Sequence, residues 1–287
     1  MRFKKRFIPF IVMAGLVGIS NSRPLSMRQS DRKQTKYIEE RTGQKPVFIQ
    51  YDHKGQNIHY TQMGDDKNEA VTILVHGSPG SSSAYLDYLT DATLRRHSQV
   101  IAVDRPGFGY SDYGVAELSL KRQAEVFLPI LEQYREQRVI LVGHSFGGPV
   151  IARMAMDFPD LVDGLVMVAG SVCPELEPKE WWRPVLNVPF IRMLLPGSLR
   201  VANQEITPLW KELEEMEANW NKISCPVTVI QGEEDKLVPA GNADYAEEML
   251  TQSSKVDVQM IKGGNHFILW SMQDFVVNKI VELIQQS

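Results

Sequence analysis

The sequence predicts an α/β molecule, a mostly parallel sheet with helices on both faces and an inserted helical cap. Three observations carry that expectation. Short, mostly apolar runs such as Ala70 to Val75 and Val139 to Val142 recur between segments of helical spacing, as strands covered on both faces do. Val47 to Asp52 and Asn57 to Met63 instead alternate apolar and polar about a turn at His53 to Gln56, which reads as an antiparallel hairpin opening the sheet. From Ser171 to Lys222 the strand pattern disappears and Pro, Trp and Glu accumulate, so this stretch is expected to be an insertion of short helices.

With 287 residues, the chain suits one domain with a large core. Met1 to Arg6 is basic, Phe7 to Ile19 is apolar and Ser20-Asn21-Ser22 is small and polar. That is the pattern of a signal peptide over residues 1–22. The apolar run, about 13 residues, is short against the ~20 of a spanning helix. Residues 23–287 are therefore expected to be exported, periplasmic or secreted, without stable membrane insertion once the signal is cleaved; a membrane anchor is the competing reading. Losing Arg2, Lys4, Lys5 and Arg6 takes the formal charge from -4 to -8, a balance that argues against nucleic acid or an anionic membrane as partner. Cys173 and Cys225 are expected on the order of 20 Å apart, too far for a disulfide.

In chain order, Ser26 to Lys45 reads as a surface lead-in with a weak helical stretch around Tyr37 to Arg41. The Ala70 to Val75 strand ends at His76-Gly77-Ser78-Pro79-Gly80. Ser83 to Arg96 has helical spacing. A strand at Gln99 to Val103 ends at Asp104-Arg105-Pro106-Gly107-Phe108-Gly109, and one long amphipathic helix is expected over Leu118 to Gln137. Beyond the Val139 to Val142 strand come a helix through Met156, a strand at Gly164 to Ala169 and the insertion. The core pattern resumes with a strand at Pro226 to Ile230, a helix from Asn242 to Leu250, a strand from Val256 to Ile261 and a closing helix from Ser271 to Gln285.

In such a sheet the loops beyond the carboxyl ends of the strands share one crevice. One of them, Gly143-His144-Ser145-Phe146-Gly147, lies between a buried strand and a helix, the setting of a nucleophile elbow. Its glycines let the backbone turn tightly and hold the Ser145 hydroxyl at the tip. A serine needs a base, and the base needs a carboxylate to fix its tautomer. His266, in Gly264-Asn265-His266, and Asp235 follow later strands and can serve. Glu233 and Glu234 adjoin Asp235, whose spacing before Val238-Pro239 favours it. Gly107-Phe108-Gly109 lacks the third glycine and acidic partner of a dinucleotide fingerprint. No histidine spacing suggests zinc and no paired-acid motif suggests calcium, so no cofactor and no metal are expected.

Together, His76-Gly77, Asp104 with Pro106 to Gly109 and Ser111, the serine elbow with Gly148, Gly232 to Asp235 with Val238-Pro239, and Gly264 to Phe267 resemble the α/β-hydrolase superfamily. The resemblance is to its serine-nucleophile branch with a helical cap, and it covers nearly all of residues 23–287. It implies Ser145 as nucleophile, His266 as general base and acid, Asp235 as its carboxylate, and the amides of Ser78 and Phe146 as oxyanion hole. His76 and His144 are expected to be structural, and Asp104 to shape the loop beneath the site. The cap, residues 171–222, has Trp181, Trp182, Phe190, Met193, Leu194 and Trp210 available to line an apolar lid, with Trp181, Trp182 and Trp210 as candidate substrate contacts. The expected reaction is hydrolysis of a small to medium apolar ester through an acyl-enzyme. A carbon-carbon bond hydrolase, aminopeptidase, lactonase, cofactor-free haloperoxidase or non-catalytic binding protein on the same scaffold are the alternatives.

Overall fold

A computed structural model describes residues 27–65 and 67–286 of the chain. The expected signal peptide lies outside the described residues. Eight strands form a single sheet in the order β1-β2-β4-β3-β5-β6-β7-β8. They are β1 (Val47–His53), β2 (Gln56–Met63), β3 (Ala70–Val75), β4 (Gln99–Val103), β5 (Arg138–His144), β6 (Gly164–Val168), β7 (Val227–Gly232) and β8 (Val256–Ile261). The β1–β2 hairpin and the β2–β4 pair are antiparallel, and every neighbour from β4 to β8 is parallel.

The continuous apolar runs follow from cover on both faces. Val71, Ile73 and Val75 of β3 pack with Phe127, Ile151 and Trp220 on one side, while Leu74 packs with Tyr88, Leu269 and Ile280 on the other. Each such side chain, once buried, contributes roughly 1.5–3 kcal/mol.

Several helices differ from expectation. The lead-in is a full helix, Asp31–Thr42, closed by Gly43 in the left-handed region at φ 68, and its Ile38 is buried in the core. The Ser83 to Arg96 stretch breaks at Asp91, which turns extended and whose carboxylate accepts from the Leu94 amide at 2.8 Å to start Ala92–His97. The Leu118 to Gln137 stretch is likewise two helices, Leu120–Glu125 and Leu128–Gln133. Pro129 has no N–H to continue the first ladder, and it sits instead in the first turn of the second helix, where that donor is not needed. The closing helix runs over Gln273–Gln285, within two residues of its expected start, and a single turn not anticipated from the sequence, Ile268–Ser271, precedes it.

Between β6 and β7 the described chain holds only short helices, among them Arg183–Leu186, Pro189–Met193, Gly197–Ile206 and Leu209–Met216. No helix among the described residues is long and apolar enough to cross a membrane. The parallel register brings the carboxyl ends of β3, β4, β5, β7 and β8 to one edge, where the loops meet.

Candidate active site

Ser145 joins β5 to the helix Gly147–Asp157 with φ 54, a left-handed conformation that costs a residue with a side chain roughly 1–3 kcal/mol. Its surroundings hold it there. The Ser145 amide donates to the Val168 carbonyl at 3.0 Å and its carbonyl accepts from Gly148 at 2.9 Å. A Cβ on Gly143 would come 2.4 Å from the Gly147 oxygen, and one on Gly147 would come 2.2 Å from the Val75 oxygen. Only glycine fits at either position.

The loop after β3 abuts this turn, since a Cβ on Gly77 would lie 2.9 Å from Ser145 Cβ. Ser78 is the next residue. Among the described residues the amides of Ser78 and Phe146 donate no hydrogen bond, so neither donor is committed elsewhere.

The loops after β7 and β8 supply a second pair. His266 Nδ1 is 2.8 Å from Asp235 Oδ2, and Asp235 Oδ1 accepts from the amides of Leu237 at 2.8 Å and Val238 at 2.9 Å. Burial works to raise the Asp235 pKa, but the hydrogen bond and charge of His266 and the two amides outweigh it and hold the carboxyl below its usual value. Glu233 and Glu234 are exposed, so Asp235 alone of the three carboxylates reaches His266. With Nδ1 donating to a carboxylate, Nε2 is left as the basic nitrogen. No hydrogen bond joins the Ser145 hydroxyl to His266 among the described residues. Such contacts commonly tighten only when substrate is present.

The other two histidines of the crevice are committed to packing. His144 Nε2 donates to the His266 carbonyl at 3.0 Å. His76 Nε2 accepts from the Arg105 amide at 3.0 Å, so its Nδ1 donates to the Gly77 carbonyl at 2.7 Å. Burial pushes both rings down to about 3, with His266 beside His144 and Arg105 beside His76 adding to the effect. Asp104 is fully buried, and its carboxylate accepts from the Ser82 amide at 2.6 Å, the Tyr110 amide at 2.9 Å and His59 Nδ1 at 2.8 Å. It therefore folds the loop after β4.

Next to it lies an ion pair. Arg105 and Glu205 are both wholly buried. Arg105 Nη1 and Nη2 donate to the two Glu205 oxygens at 2.9 and 2.8 Å, a two-pronged pairing that fixes orientation as well as charge. The same guanidinium donates from Nε to the His76 carbonyl at 2.8 Å and from Nη2 to the Gly77 carbonyl at 3.1 Å. Gln123 accepts from Nη1 at 2.7 Å and donates to Glu205 at 3.2 Å.

Residues 72–279 match the family model described as the alpha/beta hydrolase family. The chain belongs to that family. The chain is 24% identical over 250 residues to the human protein ABHD8, a match that covers 75% of this chain and 55% of the relative. It thus spans about half the length of the curated relatives it first matches. A shorter match, 33% over 116 residues, covers 40% of this chain and 41% of a pimeloyl-[acyl-carrier protein] methyl ester esterase from Proteus mirabilis. Among solved structures, the monoacylglycerol lipase of Paleococcus ferrophilus superposes with a TM-score of 0.66 at 20% identity, covering 80% of this chain and 99% of that one.

The segment between β6 and β7 holds the expected lining residues in mixed settings. Trp181, Phe190, Met193 and Leu194 are 76%, 70%, 67% and 69% exposed, so they do not wall an enclosed pocket here. Helices of four and five residues make a single turn, and one turn leaves most side chains uncovered. Trp182 and Trp210 are half-buried. Their rings face cations of the insertion, Arg183 at 4.8 Å and Lys179 at 4.2 Å. Arg105, Gln123 and Glu205 were not among the residues the sequence pointed to. A signal for Glu205 is present in the sequence, since Ser198, Val201, Ala202 and Glu205 share one helical face, and that face is the buried one.

Proposed function

We propose that this hydrolase cleaves an ester of a small to medium apolar substrate through an acyl-enzyme on Ser145. The observation that carries the reading is the 2.8 Å contact between His266 and a doubly amide-held Asp235, on the same sheet edge as a serine in a left-handed turn. Such a carboxylate fixes the tautomer in which Nε2 accepts a proton and stabilises the imidazolium that results. In the proposed cycle His266 takes the Ser145 proton as Oγ bonds to the ester carbon. The carbonyl electrons move to oxygen, where the Ser78 and Phe146 amides hold the charge. Collapse expels the alcohol, which receives the proton from His266. Water then attacks the acyl-enzyme with His266 again as base, and the acid leaves as Ser145 regains its proton.

The half-buried Trp182 and Trp210 support an apolar acyl or alcohol group, and the exposed Trp181 stays a candidate contact beside them. A fluorophosphonate probe should label the wild type and leave Ser145→Ala unlabelled. A panel of p-nitrophenyl esters of increasing chain length should be turned over by the wild type alone. Equal labelling of both proteins would refute the nucleophile, and preference for amino-acid amides over every ester would refute the substrate class.

A further inference from the structure

The cap and the oxyanion loop meet in one side chain. Arg105 leaves β4 and donates to the carbonyls of His76 and Gly77, the two residues before Ser78. Its guanidinium carbon stands 4.4 Å from the centroid of the Phe146 ring. Arg105 thus touches the segments carrying both proposed oxyanion donors. The carboxylate that fixes it, Glu205, comes from Gly197–Ile206 within the insertion, a hundred residues along the chain. That helix seats on the β4 loop through Val201 and Ala202 against Phe108.

We infer that Arg105 is a positioning residue for the oxyanion hole, and that Glu205 makes its alignment depend on the docked cap. The inference rests on the acyl-transfer reading above. A carbonyl that accepts from a fixed donor fixes the peptide plane after it. The Gly77 carbonyl belongs to the same peptide as the Ser78 amide, so Nη2 on that oxygen aims the N–H opposite it. A guanidinium held by a two-pronged carboxylate has its five donors locked in one plane. With Glu205 removed, only Gln123 and the two carbonyls restrain the guanidinium, so Nη2 sits less firmly on the Gly77 oxygen and the Ser78 donor, whose peptide then relies on His76 Nδ1, is aimed less sharply. Solvent does not replace the missing partner, because both side chains are wholly buried.

The test uses Glu205→Gln and Arg105→Lys in the full chain, compared with wild type on a short soluble ester and on a phenylboronic acid. Misaligning one oxyanion donor is expected to lower kcat about 10–100-fold, somewhat less than its outright loss. KM should stay within about twofold, and affinity for the boronate, which mimics the tetrahedral intermediate, should fall in step with kcat. Since Glu205 acts through Arg105, the double variant should be no slower than Arg105→Lys alone. Gln123→Met, which keeps both members of the ion pair, should shift boronate affinity the same way by a few-fold and serves if either of the other variants does not fold. A folded variant with wild-type kcat and boronate affinity would overturn the inference, as would a loss carried wholly by KM. Fluorophosphonate labelling of the wild type separates the two readings. Without it the acyl-transfer proposal itself has failed, and with it only the coupling is at stake.

Discussion

At Ser145 the backbone carries strain, and two residues without side chains let it persist. An alanine at Gly147 would put a methyl group 2.2 Å from the Val75 carbonyl. That oxygen belongs to β3, between β4 and β5, so it cannot move without disturbing the ladder. Gly147→Ala is expected to cost about 2–3 kcal/mol or more, as overpacked cores do. A urea midpoint equal to that of wild type would contradict this. Asp235→Asn is a different kind of change, because it keeps the shape and removes the charge. An amide facing His266 Nδ1 favours the wrong tautomer, and loss of the carboxylate is expected to lower ester kcat about 10⁴-fold. The sign of the acid dependence follows from the depressed carboxyl. Activity that needs ionised Asp235 is retained down to the ordinary carboxylate range and is lost only as pH falls through the lowered folded value. A pH–rate profile with an acid limb from this group above pH 5 would contradict it.

At the scale of elements, what could be read in the sequence depends on how the information is spread. β3 and β4 lie where their apolar runs put them, residue for residue, because a buried strand is specified locally, and the half-buried edge strand β8 keeps its expected bounds through the turn residues that flank it. The serine turn, Asp235 and His266 were legible for the same reason, each standing at the end of such a strand. The division of Leu118 to Gln137 was not, since apolar spacing runs unbroken through Pro129 and only the missing N–H stops the helix. Glu205 stayed hidden for a reason of composition. The same segment carries Glu212, Glu214, Glu215 and Glu217 close by, and beyond the apolar face that Glu205 shares with Val201 and Ala202, what distinguishes it is a buried cation from another loop. That pairing is also an anchor for the insertion. Glu205→Ala leaves Arg105 charged and buried without its carboxylate, and breaking such a pair is expected to cost about 3–5 kcal/mol. Chemical denaturation would read it directly. A loss below about 1 kcal/mol would mean that Gly197–Ile206 is held by its apolar contacts alone.

For the molecule as a whole, two buried rings set a predictable response to acid. His76 and His144 are both held near 3 in the folded state, chiefly by burial, against about 6.5 in an unfolded chain. Their lowered folded values mean that below about 6.5 the unfolded chain takes up protons that the folded one refuses. Stability from these groups is complete above that value and falls as pH drops toward 3. Each contributes a slope of about 1.4 kcal/mol per pH unit within the window, so the pair should contribute about 2.7. The depressed carboxyls of Asp104 and Asp235 begin to matter only below their ordinary value of 3.8, while Glu177, which burial raises above 4.5, acts in the opposite sense from there upward, so across pH 4.5 to 5.5 the histidine contribution is read as the difference between wild type and variant. Urea unfolding across that interval should give the steep slope in the wild type. In His144→Asn it should be smaller by about 1.4 kcal/mol per pH unit, whatever the variant's absolute stability. Equal slopes in the two proteins would mean that the His144 ring takes up its proton before the fold is lost. Its hydrogen bond to the His266 carbonyl leaves Nδ1 as the site for that proton, and the added charge would stand beside the His266 ring, 4.8 Å away between centroids. In that case acid would act on the site first and on the fold only afterwards.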